Sequence, residues 1–442
     1  MKVTVLGGGG FRTPLLYSAL QRDPALRSVS EVVLYDVDVR RLLVMDLVLS
    51  QLRADGGGPS VRTTSLLEDA VGGAAFVLSA IRVGGLDGRA IDERVALDAD
   101  LLGQETTGPG GVAYGLRTVP VAVEVAEAVA AYAPGAWVIN LTNPAGLVTE
   151  AMQAVLGERV VGVCDSPTRL GRRASSALGI RTDSCDYVGL NHLGWLRTLP
   201  LGRTDVLPAL LADTRRLTSF EEGRLFGAEW LQDLGMIPSE YLYYFYFTRD
   251  AISAIKGGPE TRGEYLLYQQ TRFYNRVYTN PRNALRQWQF VRGEREASYG
   301  QERRDSGRER DPEAVLAGGY EQVAVAVLRA IVSGEPERLV VNVRNGTTLP
   351  WLPADAVVEV PCTVGREGPR PDHVAPLTGH PAGLVHQVKA VEQLVIRAAR
   401  ERSERLARQA MALHPLVDSA VVARQLLWAY RSRIPSLDAV FA

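Results

Sequence analysis

The first 165 residues alternate short apolar runs with helical patterns, and this alternation restricts the possible folds more than any other feature. Runs rich in β-branched residues occur at 2–7, 31–36, 74–81, 136–141 and 159–164, and helical patterns lie between them, for example at 40–54 and 118–133. Continuous apolar strands separated by helices are typical of a parallel sheet that helices cover on both faces. The sequence therefore predicts an α/β fold with a doubly wound parallel sheet.

The pattern changes after residue 180. The segments 186–199 and 338–364 are typical of antiparallel strands joined by turns, and long helices are predicted at 313–333 and 383–411. We therefore expect a first domain over 1–165 and a second, α+β domain over 166–442. The segment 292–312 is highly charged with little periodicity, which favours a solvated, mobile loop.

Composition excludes several classes of protein. The chain has 442 residues, long enough for two domains, with 22% charged residues and a formal net charge of −1. No block of like charge suggests nucleic acid or an anionic membrane as a partner, and no apolar run is long enough to span a bilayer. Three scattered cysteines do not make a disulfide framework, so we expect a reducing cytoplasm.

A glycine-rich segment, "VLGGGGFRTP" (5–14), joins the first strand to the first helix. Glycines at Gly7, Gly8, Gly9 and Gly10 would let the backbone approach a pyrophosphate, and Asp36 ends the second strand, where an acid can bond a ribose hydroxyl. This arrangement predicts a Rossmann-type site for NAD rather than NADP. The alternatives are a plain tight turn and, for Asp36, a cap of the helix around residue 40.

Polar residues follow the strand ends, where ligands bind in open parallel sheets. They include Arg82, Arg89, Glu105, Asn143, Cys164, Asp165, Asn191 and His192. A thiolate and an imidazole, from Cys164 and His192, make a mixed site for a divalent transition metal whose shell water or substrate completes. The alternatives are a small buried cysteine and a structural histidine.

Two further groups of residues are candidates for catalysis and for substrate binding. The segment "IPSEYLYYFYF" (237–247) is rich in tyrosine, and a phenolate can act as a base where a cation lowers its pKa. Arginines such as Arg89 and Arg262 can bind a phosphate group bidentately. Taken singly, each tyrosine is more often a core residue and each arginine a surface or ion-pair residue.

These segments together resemble glycoside hydrolase family 4 over nearly the whole chain. The resemblance depends on the glycine-rich start and on "IRVGGLDGRAIDE", "GQETTGPGGVAYGLRTVPV", "NLTNPAGLVTEA", "GVCDSP", "GLNHLGW", "IPSEYLYYFY" and "NVRNGTTLPWLPADAVVEVP". The family is an NAD-dependent exception to the two-carboxylate glycosidase mechanism. It implies a fold like that of lactate and malate dehydrogenases, with NAD and a divalent metal, usually Mn²⁺, as cofactors.

The resemblance implies hydrolysis of 6-phospho-β-glucosides in a sequence of coupled steps. NAD⁺ takes hydride from C3, the metal polarises the oxygens at C2 and C3, and a tyrosine removes the C2 proton. The C1 leaving group is then eliminated, water adds, and NADH returns the hydride. Oxidation and a Lewis acid are needed because a C–H bond beside an isolated alcohol is too weak an acid for a side-chain base.

The resemblance also assigns roles to individual residues. Cys164 and His192 would bind the metal, Tyr241 would be the base with Tyr244 as second choice, and Glu105 would tune its basicity. Asn143, Arg89 and Arg262 would bind substrate, and Gly7–Gly10 with Asp36 would bind NAD. The family tends toward dimers and tetramers, so a homodimer or homotetramer acting on a phosphorylated disaccharide or glucoside is expected.

Asp165 departs from the β-type pattern, in which asparagine commonly follows the metal-binding cysteine. Aspartate there occurs in 6-phospho-α-glucosidases as proton donor, so a 6-phospho-α-glucosidase or α-galactosidase of this family remains an alternative. A structural alternative is a cap for the helix near residue 168. Outside the family, the alternatives are a lactate/malate-type NAD dehydrogenase and a catalytically inactive NAD-sensing or carbohydrate-binding regulator.

Overall fold

The centre of the protein is a parallel sheet of six strands. The computed structural model describes residues 1–181, 185–300 and 319–442. The parallel strands are β1 (Lys2–Leu6), β2 (Glu31–Tyr35), β3 (Ser60–Thr64), β4 (Phe76–Ser79), β5 (Trp137–Asn140) and β6 (Val160–Gly162). Their order in the sheet is β3-β2-β1-β4-β5-β6, the Rossmann arrangement. The predicted doubly wound parallel sheet is confirmed.

Antiparallel strands extend this sheet beyond β6. They are β7 (Asp186–Leu190), β8 (Leu193–Thr198), β11 (Ile237–Pro238), β12 (Glu337–Arg344), β13 (Val357–Gly365) and β14 (Gly368–Pro371), while β9 (Pro200–Leu201) and β10 (Thr204–Asp205) form a separate ribbon. Strand β12 pairs antiparallel with β6 through Asn342 and Gly162, and the order continues β12-β13-β7-β8-β11. One sheet therefore runs through both halves of the chain.

Helices cover both faces of the sheet. In the described residues they are α1 (Thr13–Arg22), α2 (Val39–Gly56), α3 (Leu67–Val71), α4 (Gly85–Asp98), α5 (Pro109–Tyr132), α6 (Ala145–Leu156), α7 (Ser166–Ala177), α8 (Leu207–Ala212), α9 (Thr214–Leu217), α10 (Glu221–Phe226), α11 (Ala228–Leu234), α12 (Tyr243–Tyr246), α13 (Thr248–Gly257), α14 (Arg262–Thr279), α15 (Ala284–Ala297), α16 (Tyr320–Ser333), α17 (Gly379–Arg400), α18 (Glu404–Leu413), α19 (Ala420–Arg433) and α20 (Pro435–Asp438). None of them is long and apolar enough to cross a membrane.

Two predicted segments differ from the structure. The helix expected at 383–411 is divided into α17 and α18, because Arg402 has a φ of +50° and Ser403 starts a new helix by accepting a hydrogen bond from the Leu406 N–H. The segment expected to be a mobile loop at 292–312 is helical as far as Ala297, where it continues α15. Its part from 301 on lies outside the described residues, as does the beginning of the helix predicted at 313–333.

Each face of the sheet carries its own apolar core. The neighbouring residues Val5 and Leu6 of β1 belong to opposite cores, as the alternation of side chains along a strand requires. A smaller third core joins the two halves of the chain, where Phe11 and α2 pack against α14 and α15. The apolar run in α5 is buried inside the chain.

Candidate active site

A cavity of about 580 Å³ opens at the carboxyl ends of β1, β4, β5 and β6. Most of the residues singled out from the sequence line it: Gly7, Gly10, Arg89, Glu105, Asn143, Cys164, Asp165, His192, Tyr241 and Arg262. Gly8, Gly9 and Asp36 lie beside it in the loop that follows β1 and at the end of β2. The carboxyl ends of these strands therefore bring together segments that lie far apart in the chain, as the sequence predicted.

The glycine-rich loop lies against the end of β2. The Gly8 N–H donates to the Tyr35 carbonyl at 2.7 Å, and the Gly9 N–H donates to the Asp36 carboxylate at 3.0 Å. Gly7 has a φ of +79°, and a Cβ on Gly8 would lie 2.6 Å from the Leu34 side chain. Asp36 does not cap α2, because Asp38 does so.

This loop fits the pyrophosphate of a dinucleotide. A side chain at Gly7 would meet the Ala80 carbonyl at 2.4 Å, so only glycine leaves the backbone room to turn between β1 and β4. Helix α1 starts at Thr13 directly after the turn, and the N-terminus of a helix favours an anion. Asp36 at the end of β2 supplies the acid that suits a ribose hydroxyl.

Cys164 and His192 line the cavity from two parts of the sheet that β12 and β13 separate. Cys164 follows β6, and His192 lies in the tight turn between β7 and β8 with a φ of +64°. Both are buried, with exposed fractions of 7% and 8%. Burial, together with the carboxylates of Glu359 and Asp165, raises the pKa of the Cys164 thiol. A bound divalent cation would reverse that shift, since metal coordination stabilises a thiolate.

The donor set fits a metal that also uses non-protein ligands. In the described part of the chain, no three histidine, cysteine, aspartate or glutamate residues are grouped to hold a metal. A thiolate and an imidazole are suitable donors for a divalent transition metal, but two donors leave open positions. Oxygen atoms of substrate or water would fill them.

The neighbours of His192 select one of its tautomers. Gln104 Oε1 accepts hydrogen bonds from the backbone N–H groups of Thr106 and Thr107 at 2.6 and 2.7 Å, which identifies this atom as the oxygen. The Thr106 hydroxyl donates to the same oxygen at 3.0 Å, and it lies 3.0 Å from His192 Nδ1. Since that hydroxyl has already used its hydrogen, it accepts from Nδ1–H. The lone pair of the neutral ring is then on Nε2, where a metal can bind.

Tyr241 lies face to face with His192. Their ring centroids are 3.5 Å apart with an interplanar angle of 6°. Tyr241 belongs to the short helical turn Glu240–Leu242 after β11, which pairs with β8 next to the His192 turn. Tyr244 is 6.3 Å from Tyr241 between ring centroids and packs in a small apolar cluster with Leu102 and Ala251. The structure thus places Tyr241, rather than Tyr244, against the imidazole.

Glu105 is held between two arginines. Arg82 Nη1 lies 2.5 Å and Arg89 Nη1 lies 2.7 Å from its carboxylate oxygens, and Arg89 also pairs with Glu93 at 2.9 Å. Burial would raise the pKa of Glu105, but the charges of Arg82 and Arg89 outweigh it and lower the pKa to about 2. Glu105 is therefore a permanent anion beside the cavity at neutral pH.

A second ionic chain links the cysteine and tyrosine segments. Arg169 Nε lies 3.4 Å from Asp165, and Arg169 Nη2 donates to Glu240 Oε1 at 2.8 Å. The Tyr299 hydroxyl donates to the same Glu240 oxygen at 3.1 Å. Asp165 occupies the N-cap position of α7, but its side chain makes no capping hydrogen bond. Its carboxylate faces the cavity and Arg169 instead.

One side of the cavity is strongly basic. The Arg262 guanidinium donates to Ser298 Oγ at 2.7 Å and to the Arg295 carbonyl at 2.9 Å. Burial, with the positive charges of Arg12, Arg262 and Arg89, lowers the pKa of Arg295 to about 9. Within the described ranges, no carboxylate forms an ion pair with Arg295. This cluster is suited to an anionic group.

Several of these residues were not identified from the sequence. Gln104 and Thr106 stand inside the segment "GQETTGPGG", but amide and hydroxyl side chains gave no signal separate from the glycines around them. Arg295 stands in a segment assigned to a solvated loop, and Arg169 and Glu240 form an ion pair across 71 positions. Single-sequence patterns do not report such distant pairs.

Comparison with known proteins identifies relatives along the whole chain. The family model described as "Family 4 glycosyl hydrolase" matches residues 2–180, and the one described as "Family 4 glycosyl hydrolase C-terminal domain" matches residues 187–417. The "Probable 6-phospho-beta-glucosidase" of Bacillus subtilis is 29% identical, over 97% of this chain and 95% of the relative. The maltose-6'-phosphate glucosidase of the same species is 28% identical, over 96% and 94%.

A solved structure has the same fold. The 6-phospho-β-glucosidase of Thermotoga maritima, with manganese, NAD⁺ and glucose-6-phosphate, superposes with a TM-score of 0.82 at 26% identity, over 98% of each chain.

Proposed function

The chain belongs to glycosyl hydrolase family 4 and is an NAD- and metal-dependent glycoside hydrolase, and we propose that it cleaves 6-phospho-β-glucosides. One observation carries the proposal: Tyr241 stacks on His192 in the cavity that Cys164 and the glycine-rich loop also line. The proposed base, metal site and dinucleotide loop would then act on one substrate. We further propose the roles given above for the individual site residues.

Different residues of the chain have different roles in the proposed reaction. When bound, NAD⁺ takes up hydride and the metal polarises sugar oxygens, so that the proton on C2 becomes acidic. Tyr241 removes that proton as general base. Glu105, an anion held by Arg82 and Arg89, lies at the same cavity and favours the proton's transfer to the phenolate.

The basic side of the cavity is the proposed phosphate site. Arg262 and Arg295 lie together there, and Arg12 adds a third guanidinium. A phosphate dianion would relieve the repulsion among these charges, which a neutral sugar cannot do. We therefore propose that this concentration of guanidinium groups gives specificity for a 6-phosphosugar over a free sugar.

The anomeric preference depends on Asp165. The loop "QETTGPGG" favours a β-glucoside, whereas an acid next to the metal-binding cysteine favours an α-glucoside. Asp165 lines the cavity and its side chain does not cap α7, which supports its proposed role as proton donor to a leaving oxygen. A 6-phospho-α-glucosidase is the second candidate, and relatives named as 6-phospho-beta-glucosidase and as 6-phospho-alpha-glucosidase match at 29% and 28% identity.

We further propose a cellular location, an oligomeric state and a division of the chain into two functional parts. Free thiols at Cys164, Cys185 and Cys362, with a phosphorylated sugar as substrate, support a cytoplasmic location. Exposed apolar side chains on α19, among them Val421 and Trp428, support a homodimer or homotetramer. We also propose that residues 1–165 serve mainly NAD and residues 166–442 mainly the substrate.

The test is a panel of nitrophenyl α- and β-glucosides with and without a 6-phosphate. We expect nitrophenol release only from 6-phosphorylated sugars, only with NAD⁺, Mn²⁺ and a reductant, and faster from the β-anomer. No NADH should accumulate, because the cofactor is regenerated. Faster release from the α-anomer would support the second candidate.

Other results would contradict the proposal. Release from sugars without phosphate would refute the role of the arginines. Stoichiometric NADH formed from a hydroxy acid would indicate a dehydrogenase instead. Binding of NAD⁺ with no turnover of any phosphosugar would indicate a regulator.

A further inference from the structure

The carbonyl groups of the glycine-rich loop are bonded by aromatic side chains from the other half of the chain. The Tyr274 hydroxyl, on α14, donates to the Gly9 carbonyl at 2.7 Å. The Trp288 indole N–H, on α15, donates to the Phe11 carbonyl at 2.8 Å. Both side chains are buried, with exposed fractions of 5% and 4%. Burial raises the pKa of Tyr274, which keeps its hydroxyl protonated as a donor.

Ring contacts surround these two hydrogen bonds. The Phe11 ring packs edge-on against Phe273 at 5.3 Å between centroids, and lies 6.0 Å from Trp288. On the other side, the Arg41 guanidinium lies over the Tyr274 ring at 4.5 Å. The loop is therefore held on its carbonyl side by α14 and α15, and on its N–H side it contacts Tyr35 and Asp36.

Four glycines in succession make this support necessary. Glycine has the greatest backbone freedom of any residue, so such a loop loses the most entropy when it adopts one conformation. In Rossmann folds the loop backbone approaches the pyrophosphate closely, which needs one defined conformation. A buried carbonyl without a donor is costly, so the two donors stabilise the conformation in which both are used.

We propose that Tyr274 and Trp288 are positioning residues that hold the glycine-rich loop in its NAD-binding conformation before the cofactor arrives. This inference rests on the NAD dependence stated under the proposed function. The helix pair α14 and α15 would then have two functions, because it would bind the phosphate group of the substrate and support the NAD-binding loop. Helix α14 begins at Arg262, α15 carries Arg295, and the same helices anchor the loop at Gly9 and Phe11.

The test is direct binding of NAD⁺ to the full chain by isothermal titration calorimetry. Tyr274→Phe keeps the ring and removes only the donor, so the loop should populate other conformations and its apparent affinity should fall. We expect the Kd for NAD⁺ to rise about 5- to 30-fold. The KM for NAD⁺ should rise with it, while kcat at saturating NAD⁺ stays close to wild type. Trp288→Phe should give a similar loss.

Tyr278→Phe is the matched control. Tyr278 is on the same helix, is 50% exposed and lies under Arg40, and it does not contact the loop. Its variant should bind NAD⁺ as wild type does. Hydrogen–deuterium exchange in the absence of cofactor adds a readout that needs no turnover, and residues 5–16 should exchange faster in Tyr274→Phe than in Tyr278→Phe.

Two results would overturn the proposal. One is a Tyr274→Phe variant with unchanged NAD⁺ affinity and unchanged exchange of residues 5–16. The other is a wild-type chain that does not bind NAD⁺. A chain that binds NAD⁺ and responds to Tyr274→Phe, but hydrolyses no phosphosugar, would refute the proposed function and leave this inference standing.

Discussion

The side chains of Gln104 and Thr106 determine which tautomer the imidazole of His192 adopts. The sequence alone does not reveal this tautomer. Gln104 takes the only hydrogen of the Thr106 hydroxyl, and the hydroxyl then accepts from His192 Nδ1. The neutral ring then carries its lone pair on Nε2, and its face lies against Tyr241. A histidine that binds a metal commonly has such a partner on its other nitrogen.

Thr106→Val tests this arrangement, because valine keeps the shape and removes the hydroxyl. We expect Mn²⁺ affinity, measured by paramagnetic resonance titration, to fall about 10- to 100-fold. Thr106→Ser restores the hydroxyl and should bind Mn²⁺ nearly as wild type does. Side-chain ¹⁵N shifts of the metal-free protein should show Nδ1–H at His192 in wild type and Thr106→Ser. Equal Mn²⁺ affinity in the valine and serine variants would contradict the assignment.

Tyr241 and Tyr244 can be separated by removing one hydroxyl at a time. Tyr241→Phe should lower kcat about 10²- to 10⁴-fold, the usual contribution of a general base. Tyr244→Phe should retain most activity, because Tyr241 is the ring that stacks on the imidazole, whereas Tyr244 packs with Leu102 and Ala251. The readout is nitrophenol release at saturating NAD⁺ and Mn²⁺. A larger loss for Tyr244→Phe would show that the choice of base is wrong.

Residues that stand in recognisable motifs could be predicted from the sequence, but their supporting partners could not. Cys164, His192 and Tyr241 come from three segments that the structure brings to one cavity. The pairs Asp165–Arg169 and Arg169–Glu240 depend on how α7 faces the tyrosine segment. Arg295 had no signal at all, because an arginine in a charged stretch is usually solvated.

At the level of secondary structure, the beginning of α5 lies against the segment that contacts His192. Gly110 and Gly111, in "GPGG", are in the first turn of this helix. A Cβ on Gly110 would lie 2.3 Å from the Gln104 carbonyl, and one on Gly111 would lie 2.5 Å from the Thr106 carbonyl. The glycines are therefore required by the close approach of the loop that orients His192.

Gly110→Ala should destabilise the protein, although alanine favours helices. The added methyl group would push the Gln104 backbone away, and overpacking of this kind costs about 1–3 kcal/mol of unfolding free energy. Gly293→Ala is the matched control in α15, where nothing lies within 4 Å of the added Cβ. That variant should gain about 0.5–1 kcal/mol. Urea denaturation measures both, and equal changes would contradict the close packing at Gly110.

Elements with a continuous apolar pattern were predictable, and elements shaped by their neighbours were not. Strands β1, β2, β4, β5 and β6 lie within the runs picked out from the sequence. Strand β3, with the sequence "SVRTT", was not recognised because it is an edge strand whose side chains are exposed or half-buried. The division between α17 and α18 depends on a single left-handed residue, Arg402.

At the scale of the whole molecule, the two halves of the chain share one sheet and one apolar core around Phe11. This continuity was not predictable, because strand pairing between β6 and β12 joins residues about 180 positions apart. It lets helices of the second half contact the glycine-rich loop of the first. Helices of the second half therefore contribute residues to the same cavity as the glycine-rich loop.

Global stability should depend on pH through His414. Burial lowers the pKa of His414 to about 4, below the value of 6.5 for an exposed imidazole. The unfolded chain binds the proton of this histidine more tightly than the folded chain does. The contribution of His414 to the unfolding free energy is therefore fully present above pH 6.5 and is lost as the pH falls toward 4. The loss from this group is about 1.4 kcal/mol per pH unit in that window.

His414→Asn should remove this part of the pH dependence. Asparagine can accept the Leu416 N–H that His414 Nδ1 accepts at 3.1 Å, and it does not titrate. His380→Asn, at an exposed position, is the control and should keep the wild-type slope. Denaturation at several pH values measures the difference. Identical slopes in the two variants would show that His414 is not responsible.

The central claim is that the sugar loses its C2 proton to Tyr241 while NAD and a metal are bound. Turnover of p-nitrophenyl 6-phospho-β-glucoside in D₂O, followed by NMR of the glucose 6-phosphate formed, tests it most directly. We expect deuterium at C2 of the product, and we expect none there when NAD⁺ or Mn²⁺ is left out. Hydrolysis that leaves hydrogen at C2 would contradict it.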